Sequence, residues 1–149
     1  MKTHHQFYIN GEWVDPAEGV NSFDVINPSN EEVIAQIALG TPADVDKAVA
    51  AAQSAFDSFS QTSVEERLAL LGKIVEIYQS RYDEVAETIS QEMGAPLSLS
   101  KAAQAATGLG HFAQAIEILQ GFEWEETKGK TIIRKEPIGV VGMITPWNW

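Results

Sequence analysis

An apolar run of seven residues near the end of the sequence constrains the fold more than any other feature. Residues 138–144 read "IGVVGMI", with no charged or polar side chain among them. A short, unbroken apolar run is typical of a β-strand buried on both faces, as in a parallel sheet with helices on either side. The run therefore predicts an α/β protein in which other strands and helices cover this segment.

Two β-hairpins are predicted at the beginning of the chain. Asn10-Gly11 stands between two short runs rich in aromatic and β-branched residues, which is a strong hairpin signal. A second hairpin is predicted with strands over residues 23–26 and 33–39, joined by the turn "NPSN". The chain should thus open with antiparallel strands.

After the hairpins, the spacing of apolar residues changes to the helical period and predicts four helices. The first begins at Thr41-Pro42, a pair suited to the N-cap and first helical positions. The second opens with the capping-box pattern "SVEE". The third is predicted over about 80–93 with Gly94 as its end, and the fourth from about 98 to 120.

The fourth predicted helix carries two glycines and a face of small residues. Gly108 and Gly110 each cost roughly 1 kcal/mol of helix stability relative to Ala, so a packing or site requirement is expected to keep them. A narrow small-residue face would let a neighbouring backbone approach closely. This face consists of Ala102, Ala103, Ala106, Gly110 and Ala113.

Composition and charge argue against several classes of partner. Twenty-one acidic and ten basic residues give a net charge of −11, which repels phosphate backbones and argues against nucleic-acid binding. No apolar stretch approaches the roughly 20 residues of a membrane span, and the N-terminal residues lack the apolar centre of a secretory signal. We therefore expect no membrane partner and a cytoplasmic location. We interpret the basic cluster as a strand kept soluble by its charges rather than as a binding patch; its members are Lys128, Lys130, Arg134 and Lys135.

No metal or phosphate site is predicted. The chain has no cysteine, and its histidines, His4, His5 and His111, lack ligand spacing with carboxylates. The glycines of "GVVG" at residues 139–142 do not match the dinucleotide or phosphate-loop fingerprints. The absence of cysteine also excludes disulfides and thiolate chemistry within this chain.

The residues after the apolar run are the best candidates for a site. Pro146 directs Thr145 toward extended geometry, and Trp147 and Asn148 then follow the carboxyl end of the predicted strand, where doubly wound sheets bind ligands. The Asn148 amide has two donors suited to an oxyanion formed by attack on a carbonyl. The alternative is a turn or helix-cap asparagine, which the residues alone favour because Asn is common there.

Four segments, in this order, resemble landmarks of the NAD(P)-dependent aldehyde dehydrogenase superfamily: "FYINGEWV", "INPSNEEVIAQIALGTPADVDKAVAAAQSAFDSF", "ERLALLGKIVEIYQSRYDEVAETISQEMGAP" and "EPIGVVGMITPWNW". The resemblance implies an aldehyde dehydrogenase-like α/β fold, in which N-terminal hairpins and helices lead into a Rossmann-like cofactor domain. Residues 1–121 would be the N-terminal part of that domain, 122–137 an oligomerisation strand segment, and 138–149 the first strand of its core.

The resemblance also implies roles for particular residues. Asn148 resembles the family's oxyanion-hole asparagine, which supports the thiohemiacetal and thioester stages of aldehyde oxidation. The segment "KTIIRKE" resembles the one that joins subunits, so a homodimer or homotetramer through the 131–135 strand is expected. The family segment that passes along NAD or NADP near its nicotinamide ribose is matched by Ile144, Thr145, Pro146 and Trp147.

The chain departs from the family pattern in what it lacks. The family's nucleophilic cysteine, general-base glutamate and adenosine-ribose contacts lie beyond the matched region, and the thiolate step cannot proceed without a cysteine. We therefore expect the amino-terminal part of an aldehyde dehydrogenase, inactive by itself. Two alternatives stay open: a non-catalytic interaction protein that keeps only the helical and oligomerisation surfaces, and a coenzyme A-acylating aldehyde dehydrogenase.

The sequence says less about the aldehyde. The segments "EMGAP" and "HFAQAIEIL" resemble a general or medium-chain branch of the family. Phe112 matches roughly the family positions at the aldehyde entrance, although an aromatic residue on an alanine-rich helix is more often part of a core.

Overall fold

The structure, a computed structural model, describes residues 2–146 and opens with short strands. β1 (Lys2–His4) precedes β2 (Phe7–Ile9) and β3 (Glu12–Val14), which form the first predicted hairpin. Asn10 and Gly11 have φ angles of 56° and 81°, and positive values at both positions are what the predicted two-residue turn requires.

The second predicted hairpin is also confirmed. β4 (Ser22–Asn27) and β5 (Glu32–Ala38) pair antiparallel, and β1 adds to β5 as a parallel strand. This third strand was not predicted, because the polar segment that forms it gives no strand signal. The first hairpin and β4 lie between β1 and β5 in the sequence, so the pairing of β1 with β5 is a tertiary contact.

The four predicted helices are present, and the last contains an unpredicted π-helical segment. Ala105 donates its N–H to the carbonyl of Ser100, five residues back, which identifies the π turn. The helical elements are α1 (Pro42–Phe59), α2 (Val64–Ser80), α3 (Tyr82–Met93), α4 (Leu97–Leu99), the π segment (Ser100–Gln104) and α5 (Ala105–Gln120).

Side-chain caps start the first two helices. The Asp44 carboxylate accepts hydrogen bonds from the N–H and hydroxyl of Thr41, and from the N–H of Ala17 in the loop before β4. At α2, the N–H of Ser63 donates to Glu66, and the N–H of Glu66 donates back to the Ser63 hydroxyl. The capping box predicted for α2 is therefore confirmed, and Asp44 also joins α1 to the strand region.

Gly94 ends α3 and brings the helices against the second hairpin. Its φ of 72° is left-handed, as expected at a helix C-terminus. A Cβ atom at this position would lie 3.0 Å from the backbone nitrogen of Ser29, in the turn between β4 and β5. Both the backbone conformation and the close approach favour glycine here.

The helices pack around small residues. Ala86 on α3 and Ala105 at the start of α5 are completely buried, and α5 packs along α2 while α3 packs on the π segment. The predicted small-residue face is only partly used, because Ala102, Gly110 and Ala113 are exposed. That expectation was wrong for these three: the close approach occurs instead at Gly108, on another side of the helix.

A further hairpin follows α5. β6 (Glu125–Lys128) pairs antiparallel with β7 (Thr131–Arg134), and the turn between them contains Gly129 at a φ of 63°. Trp124, just before β6, lies under the Arg67 guanidinium of α2 at 5.7 Å, which joins the hairpin to the helices. The strand predicted in "KTIIRKE" is confirmed as β7, and its role between subunits stays a prediction.

The buried strand predicted over 138–149 is not formed in its described part. Residues 138–146 belong to no strand, and Ile138 and Ile144 are almost completely exposed. The reason is that a strand exists only with a hydrogen-bonded neighbour, and no segment within residues 2–146 pairs with this one. Its place in a Rossmann-like core stays a prediction.

No helix within residues 2–146 has both the length and the apolar character needed to cross a membrane.

Candidate functional site

A cavity of about 490 Å³ lies where α3, the π segment and α5 meet the residues after the apolar run. We call it the α3–α5 cavity. Thr145 and Pro146 close one side of it, so the candidate site segment and the helices meet at this place. The residues that line it are Ile89, Met93, Gln104, Thr107, Gly108, His111, Thr145 and Pro146.

The π segment gives Gln104 its place in the wall. Ser100, completely buried, donates its hydroxyl to the Gln104 side-chain oxygen over 3.0 Å. The Gln104 amide nitrogen in turn donates to the sulfur of Met93 on α3 over 3.2 Å. Both the oxygen and the nitrogen of the Gln104 amide are thus hydrogen-bonded. The bond to Met93 is the weaker of the two, because a thioether sulfur is a weak acceptor.

Two tyrosines of the neighbouring helices hold the backbone around the π turn. Tyr78 donates to the carbonyl of Ala105 over 2.9 Å, and Tyr82 donates to the carbonyl of Lys101 inside the π segment. The rings of Tyr78 and Tyr82 meet edge to face, 6.4 Å apart. Burial, and secondarily Tyr82, raises the pKa of Tyr78, which keeps its hydroxyl protonated as a donor.

Gly108 is explained by the same contact. A Cβ atom on Gly108 would lie 2.6 Å from the Tyr78 hydroxyl oxygen and 3.1 Å from the ring carbon that carries it. The expected packing requirement is therefore confirmed for Gly108. It does not extend to Gly110, where an added Cβ would meet no atom within 4 Å.

The cavity wall combines apolar and polar groups and includes no thiol or carboxylate. Ile89, Met93 and Pro146 supply apolar surface, whereas the polar side chains are those of Gln104, Thr107, His111 and Thr145. The Thr107 hydroxyl donates to the carbonyl of Ala103, so only its lone pairs are left for a ligand. Such a wall can hold a molecule with an apolar body and a polar group, but the lining residues contain no thiol or carboxylate that could attack it.

The structure brings together only part of the predicted site. Thr145 and Pro146 line the cavity, Ile144 is exposed beside it, and Trp147 and Asn148 lie outside the described residues. Phe112 is not in the wall: it contacts Tyr78, with ring centres 6.5 Å apart. Its more common role, packing against neighbouring side chains, is therefore what the structure shows.

Gln104, Thr107 and Met93 were not identified from the sequence. The glycine at 108 was the one available signal, since it marks a close contact on the same helix. The register of the helix after residue 100 depends on the π turn, and no pattern in the sequence indicates that turn. Among residues 2–146, no three His, Cys, Asp or Glu side chains come together in a way that could hold a metal ion.

Comparisons with known proteins agree on one family. The model of the aldehyde dehydrogenase family matches residues 13–149. A 3-succinoylsemialdehyde-pyridine dehydrogenase from a Pseudomonas species is 47% identical over 150 residues, covering 100% of this chain and 31% of that protein. The chain therefore spans less than a third of the length of this relative.

Solved structures give the same result for the fold. An aldehyde dehydrogenase from Bartonella henselae superposes with a TM-score of 0.86 and 42% identity, over 90% of this chain and 29% of the other. A mutant of aldehyde dehydrogenase C from Pseudomonas syringae, crystallised with NAD+ and octanal, gives the same TM-score and identity. That match covers 90% of this chain and 27% of the other. The predicted aldehyde dehydrogenase-like α/β class is confirmed, with this chain as the N-terminal portion. Because the family model covers nearly the whole sequence, the chain belongs to the aldehyde dehydrogenase family.

Proposed function

We propose that this chain is part of an oxidoreductase that oxidises an aldehyde to a carboxylic acid with NAD or NADP. The observation that carries the proposal is the match of the aldehyde dehydrogenase family model to residues 13–149. The α3–α5 cavity supports it, because Thr145 and Pro146 line this partly apolar recess and are followed in the sequence by Asn148, which resembles the oxyanion-hole asparagine. The attacking cysteine would be supplied from outside this chain, which has none.

The residues present fit the nicotinamide side of a dinucleotide site. Ile144 is fully exposed, and Thr145 and Pro146 are exposed beside it, so this stretch offers accessible backbone and apolar surface. When bound, NAD or NADP would supply the hydride acceptor for aldehyde oxidation. Within this chain, Ile144, Thr145, Pro146 and Trp147 would orient the nicotinamide ribose, without forming or breaking a bond.

Asn148 would act on the substrate oxygen. Attack of a thiolate on the aldehyde carbonyl puts negative charge on that oxygen, and a fixed amide N–H stabilises the charge more strongly than it stabilises the neutral carbonyl. The carboxamide does not ionise at neutral pH, so it cannot act as a general acid or base. Its contribution would thus be electrostatic, and it would lower the barrier for attack rather than strengthen substrate binding.

For the substrate, we propose a general or medium-chain aldehyde. A cavity of about 490 Å³ with apolar surface from Ile89, Met93 and Pro146 has room for a chain longer than two or three carbons. The Pseudomonas syringae relative was crystallised with octanal, and the name of the Pseudomonas relative specifies a pyridine semialdehyde. Both molecules are of intermediate size.

The test is turnover by the full-length protein. We expect NADH or NADPH formation from straight-chain aldehydes, and Asn148→Ala should lower kcat by about 10²- to 10³-fold with little change in KM. Asn21→Ala, which changes an exposed asparagine that does not line the cavity, is the matched control. Equal activity of the two variants would contradict the role of Asn148, and a preference for short hydroxy-aldehydes would contradict the substrate class.

The same assay separates the alternatives. A coenzyme A-acylating enzyme would form an acyl-coenzyme A and would need coenzyme A for turnover. A non-catalytic interaction protein would turn over no aldehyde with either cofactor. The 149-residue chain by itself is expected to show no activity, since it lacks the thiol that the mechanism requires.

We also propose that the β6–β7 hairpin joins subunits in a homodimer or homotetramer. Both strands are exposed along their whole length, and β7 presents Ile132 and Ile133 to solvent. An exposed strand edge with apolar side chains is a ready surface for pairing with another chain.

A further inference from the structure

The π segment lies at the boundary between the helix packing and the α3–α5 cavity. Ser100 at its start is completely buried and the segment packs against α3, whereas Gln104 at its end and Thr107 and Gly108 after it line the cavity. A single π turn rotates everything that follows by one extra residue, so it decides which side chains face the cavity. Whatever holds the π turn therefore also sets the cavity wall.

Two hydroxyl groups hold this turn from outside the helix. Tyr82 donates to the carbonyl of Lys101 inside the π segment, and Tyr78 donates to the carbonyl of Ala105 directly after it. An ion pair between Lys101 and Asp83 of α3, 2.8 Å long, supports the same junction. Neither tyrosine lines the α3–α5 cavity, so neither would contact a ligand there.

Gln104 transmits this arrangement to the cavity. Its side-chain oxygen accepts from Ser100, and its nitrogen donates to the Met93 sulfur. An amide has two N–H groups and two oxygen lone pairs, so one donor and one acceptor site are left for a ligand. The strength of any bond to the ligand depends on how firmly the π segment fixes the helix under Gln104.

We propose that Tyr78 and Tyr82 are positioning residues for the substrate: their hydroxyls fix the π segment, which places the Gln104 amide to bind a polar group on the body of the aldehyde. The inference rests on the proposed function and adds the substrate feature that is recognised, a hydrogen-bonding group distant from the reacting carbonyl. An alkyl aldehyde lacks that group and would depend on Gln104 much less.

The experiment uses the full-length enzyme with hexanal and 6-hydroxyhexanal, which differ only by the terminal hydroxyl. We expect Tyr78→Phe and Tyr82→Phe to raise KM for 6-hydroxyhexanal by about three- to tenfold, as for the loss of one ordered hydrogen bond. The KM for hexanal should change less than twofold, and kcat for both should stay within about twofold. Tyr8→Phe is the matched control, because Tyr8 is exposed on β2 and packs only its ring against Trp13.

Ser100→Ala gives a second test that leaves both tyrosines in place. It removes the donor to Gln104 with a small change in volume, and we expect the same selective rise in KM. If the tyrosine variants fail to fold, as judged by melting temperature and gel filtration, this variant decides.

Three outcomes would overturn the inference: an unchanged KM for 6-hydroxyhexanal, an equal rise for both aldehydes, or a fall in kcat with KM unchanged. A wild-type enzyme that oxidises no aldehyde would instead overturn the proposed function, and this inference with it.

Discussion

Gly108 and Gly110 lie two residues apart on α5, yet their surroundings differ completely. An added methyl group at Gly108 would enter the space of the Tyr78 hydroxyl, whose position is fixed by its bond to Ala105. At Gly110 the same group would face open space. At both positions glycine lowers the stability of the helix, but only at Gly108 does it also prevent a steric clash.

We expect Gly108→Ala to destabilise the chain by about 1–3 kcal/mol, because overpacking and the loss of the Tyr78 bond outweigh the better helix propensity. Gly110→Ala should stabilise it by about 0.5–1 kcal/mol. Urea unfolding of both variants at low protein concentration, followed by circular dichroism, measures the difference. Equal free energies of unfolding would show that the close contact with Tyr78 is not a constraint.

Asp44 is the second residue whose surroundings predict a measurable effect. Its backbone hydrogen bond from Thr41, and then that from Ala17, lower the pKa of its carboxyl below the ordinary value of 3.8. A lowered pKa in the folded state means that the stabilisation is complete above the unfolded-state pKa and is lost as the pH falls through the folded-state pKa.

We therefore expect the melting temperature of Asp44→Asn to lie below that of the wild type by a constant amount between about pH 5 and pH 7. The difference should begin to shrink at about pH 4, the ordinary pKa of an unfolded-state aspartate, and should be lost as the pH falls through the lower pKa of the folded-state carboxyl. Asp46→Asn removes the same charge from the same helix without these hydrogen bonds and should have a smaller effect. A difference that grows as the pH falls would contradict this assignment.

At the scale of elements, α2 connects the parts of the molecule. It packs along α5, its Arg67 lies over the Trp124 ring ahead of the β6–β7 hairpin, and its Tyr78 holds the π segment. Arg67 also donates from Nε to the hydroxyl of Thr62 in the loop after α1. The position of α2 therefore affects the placement of several neighbouring elements.

Removing the N-cap of α2 should lower the free energy of unfolding through the loss of one hydrogen bond at the start of the helix. Ser63→Ala deletes the acceptor for the N–H of Glu66, and we expect a loss of about 0.5–2 kcal/mol in the free energy of unfolding. Ser54→Ala, in the middle of exposed α1 surface, is the matched control and should be neutral or slightly stabilising, since its hydroxyl only donates to the helix carbonyl of Ala50. Urea unfolding measures both, and equal losses would contradict the capping role.

At the scale of the whole molecule, much apolar surface faces solvent. Ile138, Met143 and Ile144 are each more than four-fifths exposed, and Ile132 on β7 is more than half exposed. Exposed apolar patches and open strand edges promote association. We therefore expect the isolated 149-residue chain to be oligomeric or poorly soluble in sedimentation experiments, and a well-behaved monomer would contradict this.

The proposed subunit contact has its own test in the full-length protein. Ile132→Lys places a charge on β7 and should shift the sedimentation profile toward smaller species. Val20→Lys, at a similarly exposed apolar position in the loop before β4, is the control and should leave the assembly unchanged. An unchanged profile for Ile132→Lys would argue against a contact through β6–β7.

The sequence by itself determined the elements whose signals are local. The Asn10-Gly11 turn, the capping box at Ser63 and the end of α3 at Gly94 each depend on a few neighbouring residues, and each is confirmed. Family membership could also be predicted, because the four matching segments follow one another in the order of the family.

Only the tertiary structure decided what depends on contacts between distant segments. The parallel strand β1 forms through pairing with β5, the need for glycine at position 108 comes from a tyrosine on α2, and the π turn relies on hydroxyls from two other helices. The apolar run at 138–144 also depends on contacts with distant segments, and here they are missing within residues 2–146. Its composition favours a buried strand, but a strand forms only where a neighbour supplies hydrogen-bond partners, and the described part of the chain supplies none.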